Sequence, residues 1–199
     1  MNLKGATLLF ATHNAGKVEE MRQLLAPYGV TVVSAAERGL PEPEETEDSF
    51  VGNARIKAHA AAKATGLVVL ADDSGLCVDA LGGAPGVYTA DWAEGPGGRD
   101  FMWAMEKTRA ALGDTPEPWG AEFRCTLVMA SPDGTDEVYE GVVRGRLVWP
   151  IRGALGHGYD PMFQPDGHDV TFAEMDADQK NALSHRARAL QALIQARFT

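Results

Sequence analysis

Residues 67–71 (LVVLA) form an unbroken apolar run that ends in Asp72-Asp73-Ser74-Gly75. A half-exposed strand alternates apolar and polar residues, whereas a run with no polar member reads as a strand buried on both faces. Such a strand belongs inside a covered sheet. A second run, ATLLFA at 6–11, has the same character and leads into Thr12-His13-Asn14-Ala15-Gly16-Lys17. A helical pattern follows, with Val18, Met21, Leu24 and Leu25 on one face and Pro27 and Gly29 at its stop. Thr31 to Ser34 reads as a strand, 37–47 as a Pro- and Glu-rich loop, and Asp48 to Ala64 as an alanine-rich helix closed by Gly66. Residues 82–98 are dense in Gly and Pro and read as an ordered loop or a flap. Residues 99–112 read as a helix. Phe123 to Ala130 and Glu137 to Val148 read as an antiparallel pair about Pro132-Asp133-Gly134, and 178–198 as a last helix. This order predicts an α/β fold with a mixed sheet and flanking helices.

The 199 residues allow one large domain or two small lobes. With 45% hydrophobic and 23% charged residues, a globular protein is expected rather than a disordered or fibrous one. A net charge of −10 repels a nucleic-acid backbone, so no nucleic-acid polymer is expected as partner. A small phosphorylated ligand stays open to it, held by local cations or a metal. No apolar run reaches the roughly 20 residues that cross a membrane, and the N-terminus lacks the pattern of a signal peptide. Cys77 and Cys125 lie outside any metal-ligand spacing and read as reduced thiols, which makes the cytoplasm the expected location.

Five stretches carry residues suited to chemistry. Thr12 to Lys17 sits between a strand and a helix, where backbone N–H groups and a lysine make an anion site. Asp72 and Asp73 are placed at the end of a buried strand, pointing to opposite faces. An aspartate there can hold Mg²⁺ or act as a base toward water, and Ser74 can donate to a phosphate. Glu44 and Glu45 precede the helix bearing Ser49, Asn53 and Lys57, four residues apart and so on one face. Gly156-His157-Gly158-Tyr159-Asp160 offers close backbone approach, an aromatic ring and a carboxylate for a nucleobase. Lys180 and Ser184-His185-Arg186 cluster cationic groups in an acidic chain. Taken singly, each stretch also reads as a capped turn or a solvated face. Together they point to a Mg²⁺–polyphosphate site with a base pocket.

These stretches resemble the inosine triphosphate pyrophosphatases, also called dITP/XTP diphosphatases. The resemblance rests on ATHNAGKVEE at 11–20, EETEDSFVGNARIKA at 44–58, ADDSGLCVDALGGAPGVY at 71–88, GHGYDPMF at 156–163 and QKNALSHRARAL at 179–190, in the family's order. It implies one nucleoside triphosphate pyrophosphatase domain over 1–199, an elongated mixed sheet in two lobes with the active-site cleft between them, a homodimer, and Mg²⁺ as cofactor. The implied activity is hydrolysis of ITP, dITP and XTP to the monophosphate and pyrophosphate. Carried over by position, Thr12, His13, Asn14, Ala15, Gly16 and Lys17 bind phosphates, joined by Lys57. Asp73 is base and metal ligand with Ser74 beside it, and Glu44 or Glu45 is a second metal contact, Glu44 being favoured. His157, Gly158, Tyr159 and Asp160 form the base pocket with Lys180, His185 and Arg186. Two departures are visible. His157 stands where the family often has a stacking Phe, and Asp91 falls where it often has a base. The competing expectations are a septum-site-type nucleotide pyrophosphatase and a nucleotide-binding sensor without turnover.

Overall fold

The computed structural model describes residues 3–198. Among the described residues, eight strands and five α-helices follow one another: β1 (Thr7–Phe10), α1 (Ala15–Leu25), β2 (Thr31–Ser34), α2 (Phe50–Thr65), β3 (Val69–Val78), β4 (Glu94–Gly95), β5 (Gly98–Arg99), α3 (Phe101–Leu112), β6 (Trp119–Ala130), β7 (Asp136–Leu147), β8 (Phe163–Pro165), α4 (Ala177–Leu183) and α5 (His185–Arg197). Six strands make one sheet in the order β2-β1-β3-β6-β7-β8, and β4 and β5 form a separate small hairpin. β1 runs parallel to both β2 and β3, while β8 is antiparallel to β7. The sheet is therefore mixed, as the element order predicts.

The chain divides into two compact units. One is built from the residues up to Asp73, Cys125–Gly141 and the segment from Arg186 onward; the other from Ser74–Arg124 and Val142–His185.

In the first unit the period-two alternation of the strands separates two cores. Leu8, Phe10, Leu70, Leu127 and Met129 pack with Val18, Met21 and Leu25 of α1 and Leu190 and Leu193 of α5. Leu9, Ala11, Val69, Ala71, Val128 and Ala130 pack with Ala54, Ala58, Ala61 and Ala62 of α2. The unbroken apolar runs are explained: both faces of these strands are covered. Alanine on the inner face of α2 lets that helix lie close to the sheet. Asn14 caps α1, Ser49 caps α2, and Gly66 ends α2 in the left-handed conformation.

The second unit has one core. Ala104, Met105 and Leu112 of α3 pack with Phe123, Val143, Met162, Phe163, Phe172 and Met175. Phe123 meets Phe163 edge-on at 4.7 Å between centroids, and Phe163 contacts Phe172 at 5.2 Å. Cys77 and Cys125 are free, and burial pushes the Cys125 thiol up to about 12. Among the described residues, no helix is long and apolar enough to cross a membrane.

Three expectations are corrected. β3 does not end before the aspartates but runs on to Val78, so Asp72 and Asp73 lie mid-strand. Ser74 and Gly75 are small enough to continue the pleat, and Leu76 and Val78 are again fully buried. The last helix is two helices, broken where Ser184 adopts an extended conformation (φ −63°, ψ 156°). β6 begins at Trp119, four residues before the expected start. Of the two readings of residues 82–98, the ordered one holds: the stretch carries 3₁₀ turns and the β4–β5 hairpin.

Candidate active site

Asp72 and Asp73 are adjacent on β3, so their side chains leave opposite faces of the strand. Each face has its own set of partners. Asp72 is 1% exposed. It pairs with Lys17 Nζ at 2.9 Å and with Arg186 Nη2 at 3.4 Å. Arg186 reaches it from the first turn of α5 and also pairs with Glu20 on α1. Burial alone would raise the Asp72 carboxyl. The charges of Lys17, Arg186 and Lys57 outweigh that and hold it far below the usual carboxylate range. Arg186 is lifted above its ordinary value: burial opposes this, and Glu20 and Asp72 overcome it.

The loop before α1 belongs to this face. Asn14 Oδ1 accepts the Lys17 N–H at 3.1 Å, and the Asn14 N–H donates to Thr12 Oγ1 at 3.2 Å. Ala15 and Gly16 supply the first helical amides, which have no intrahelical acceptor. A Cβ on Gly16 would stand 3.2 Å from the capping oxygen. Lys17 thus projects from a helix N-terminus with Asp72 behind it, an arrangement suited to an anion.

On the other face, Asp73 Oδ2 lies 3.4 Å from the Asn53 amide nitrogen, and Oδ1 lies 4.0 Å from Lys57 Nζ. Lys57 also pairs with Glu45. Asn53 Oδ1 accepts the Glu47 N–H at 2.9 Å, which ties the acidic loop to α2. Gly52 permits that approach, since a Cβ there would come within 2.6 Å of the Glu47 side chain. Burial pushes the Asp73 carboxyl up to about 6; Lys57 pulls it down, and Glu45 adds a further push up. Lys57 is held above its ordinary value because Asp72, Asp73 and Glu45 more than offset burial.

Among the described residues no three His, Cys, Asp or Glu side chains gather as a metal-holding group. Two carboxylates, Glu45 and Asp73, meet at one ammonium. That donor set fits Mg²⁺, which takes one or two protein carboxylates and fills its remaining positions with water and phosphate oxygens.

In the second unit, Asp160 is the centre. Its Oδ2 accepts the His157 N–H at 2.8 Å and Lys180 Nζ at 2.5 Å. Gly156 sits at φ +73°, and a Cβ there would lie 2.1 Å from that same oxygen. Lys180 Nζ also lies 5.7 Å from the centre of the Phe172 ring. Tyr159 is 1% exposed and its hydroxyl donates to the Thr89 carbonyl at 3.2 Å, so it is a core residue rather than a stacking platform. His157 itself is exposed. His185 stacks on Phe123 with 5.0 Å between centroids and 14° between planes.

The sequence profile of the Ham1 family matches residues 8–196. The chain belongs to the Ham1 family. It is 67% identical to a protein named dITP/XTP pyrophosphatase from Ruegeria pomeroyi, over 98% of this chain and 96% of that one. It is 53% identical to a protein of the same name from Mesorhizobium japonicum, over 98% and 95% of the two chains. A solved structure titled as a HAM1 protein from Coxiella burnetii superposes with a TM-score of 0.87 at 36% identity, covering 96% of this chain and 97% of that one. The mixed α/β fold is thus the Ham1 fold.

Within this Ham1 chain the residues expected from sequence fall into two groups. Thr12, Asn14, Lys17, Lys57, Asp73, Glu45 and Arg186 come together in the first unit around β3. Gly158, His157, Asp160 and Lys180 come together in the second. Of the two candidate glutamates, Glu45 rather than the favoured Glu44 is the one turned to Lys57. His13 points its ring at the Leu40 carbonyl, 2.8 Å away. Lys57, Lys180 and Arg186 are all less than 9% exposed, which excludes the solvated-face reading. Asp91 is exposed. Sequence reasoning missed Glu20, whose signal was a carboxylate three residues past Lys17 on the inner face of α1. It also gave Asp72 no role, although an acid fully enclosed by apolar strand neighbours must have cationic partners.

Proposed function

We propose that this chain hydrolyses deaminated purine nucleoside triphosphates, ITP, dITP and XTP, to the monophosphate and pyrophosphate. The observation that carries the proposal is Asp73: a buried carboxylate, raised to about 6, beside Lys57 and within reach of Glu45. The names of the relatives at 67% and 53% identity support the same reaction. We assign the protein to the cytoplasm as a homodimer using Mg²⁺.

Asp73 is ionised at neutral pH and basic enough to take a proton from water. The water oxygen forms a bond to the α-phosphorus, the bond to the bridging oxygen breaks, and pyrophosphate leaves. Lys17 and the first-turn amides of α1 bind phosphate oxygens, and Asp72 fixes the direction of Lys17. Lys57 offsets the negative charge that gathers near Asp73. Glu45 and Asp73 would hold the metal, which supplies positive charge against the phosphate oxygens when bound. Ser74 follows Asp73 and is given a phosphate contact. His157, Gly158, Asp160, Lys180 and His185 are assigned to the base, with Tyr159 supporting them from the core, while Arg186, expected there, is held by Asp72 and Glu20. A purine with a 6-oxo group presents an acceptor where adenine presents a donor, so a cationic or N–H group there rejects ATP. A site built for one hydrogen bond can discriminate by about 10⁴-fold.

A product assay tests this. Protein and Mg²⁺ are incubated with ITP, dITP, XTP, GTP, ATP and dTTP, and both pyrophosphate and orthophosphate are quantified. Pyrophosphate from the first three, with little from ATP, is the expected result. Orthophosphate would place attack at the terminal phosphate and give Asp73 a different use. Tight ITP binding with no product would make the protein a sensor.

A further inference from the structure

We propose that His13 is a positioning residue that latches the segment carrying Glu45 and so sets the metal requirement of the enzyme; the metal part rests on the reading above. Residues 40–47 have no regular secondary structure, yet they bring Glu45 to Lys57. At the near end, the His13 ring donates Nε2–H to the Leu40 carbonyl oxygen at 2.8 Å, across 27 positions of sequence. A carbonyl only accepts, so Nε2 carries the proton whether the ring is neutral or charged. At the far end, the Glu47 N–H donates to Asn53 Oδ1 at 2.9 Å, and the Glu47 side chain lies against Gly52.

Between these two pins the segment has little beneath it. Pro41, Glu42 and Glu44 are exposed, and an apolar cavity of about 90 Å³, partly open to solvent, lies beneath, lined among others by Ala35, Leu40, Pro43 and Ala61. Close packing therefore does not fix the middle of the segment, and its path is set by its ends. Pro41 and Pro43 each lock one backbone torsion, so the orientation imposed at Leu40 carries toward Glu45. The latch also joins the two stretches that the proposed mechanism needs together, the phosphate loop at 12–17 and the acidic loop at 44–47. The ring of His13 is committed to Leu40 by this hydrogen bond.

The test uses the full chain with His13→Ala and His13→Gln, the amide of Gln being able to donate in place of Nε2. Hydrogen exchange of residues 39–49 is followed in metal-free protein, and ITP turnover is titrated with Mg²⁺. Loss of one net hydrogen bond corresponds to a change of about three- to tenfold. Expected for His13→Ala is exchange about that much faster in 39–49 with α2 unchanged, and a similar rise in the Mg²⁺ concentration for half-maximal rate. His13→Gln restores both. Unchanged exchange in His13→Ala overturns the latch. Faster exchange with an unchanged Mg²⁺ requirement overturns its link to Glu45. Turnover by the parent without divalent metal overturns the metal reading and the Glu45 link with it, while the exchange data still decide the latch.

Discussion

Asp72 and Asp73 share a strand and a residue type, and the two faces of β3 give them opposite chemistry. Asp72 meets two cations at close range and is kept ionised far into acid; Asp73 meets one lysine at 4.0 Å and a nearby glutamate, so burial dominates. A raised carboxyl in the fold binds its proton more tightly than the unfolded chain does. The folded state of the metal-free protein therefore loses stability as pH rises from about 4 to about 6, and the loss is complete above that window. Two pH units correspond to about 3 kcal/mol. Asp73→Asn removes the ionisation. Urea unfolding in EDTA is expected to find the variant more stable than the parent at pH 8, by up to about 3 kcal/mol, with the two converging below pH 4. Turnover of ITP falls by several orders of magnitude in the same variant. A variant that is less stable at every pH would show that Asp73 is not strained by burial. At this scale the sequence was informative about which residues matter, since the aspartate pair, Lys17, Lys57 and Arg186 all reach the site. It did not say which cation serves which acid, because pairing depends on strand face and helix position. Arg186 illustrates this: it was expected near the base-pocket stretch, yet Asp72 and Glu20 hold it.

Elements were legible where periodicity spans a whole element and illegible where one residue decides. β1, β2 and α2 fall within two residues of their expected limits because a two-sided core or an alanine face repeats along them, whereas α1 starts at Ala15, inside the turn expected at 12–17. The continuation of β3 through two acids was hidden, since paired charges in a strand look like a strand end until their partners are known. The break at Ser184 was hidden too: the sequence QKNALSHRARAL holds no Gly or Pro to mark it. The turn at 156–160 is a third case, and here a single glycine can be tested. Gly156→Ala puts a Cβ at 2.1 Å from Asp160 Oδ2 at a backbone φ of +73°. The carboxylate must leave its place between the His157 N–H and Lys180. Gly82→Ala is the control, because Gly82 has φ +63° and open space around its Cβ. Left-handed backbone alone costs about 1–2 kcal/mol, so denaturant unfolding should register that loss for both. Only Gly156→Ala is expected to raise KM for ITP, by at least about fivefold. Equal KM values in the two variants would remove Asp160 and Lys180 from base recognition.

The charge of the whole molecule complicates any test of its metal. At −10 the folded chain repels itself, and every added cation relieves part of that repulsion by screening. A rise in melting temperature on adding MgCl₂ is therefore not by itself a sign of a site. Screening depends on ionic strength and is indifferent to two particular carboxylates, whereas a site saturates and requires them. At ten times its dissociation constant a ligand specific to the folded state adds about 1.4 kcal/mol. For a chain of this size that is a shift of about 3–6 °C. The expected result is a saturating shift of that order with MgCl₂ beyond the shift given by NaCl at matched ionic strength. The excess disappears in Glu45→Gln and in Asp73→Asn, while the screening part remains in both because removing one charge of ten changes it little. Equal shifts with the two salts would assign the whole effect to net charge and leave Glu45 and Asp73 as partners of Lys57 alone. An excess retained in both variants would place the cation elsewhere on this acidic surface.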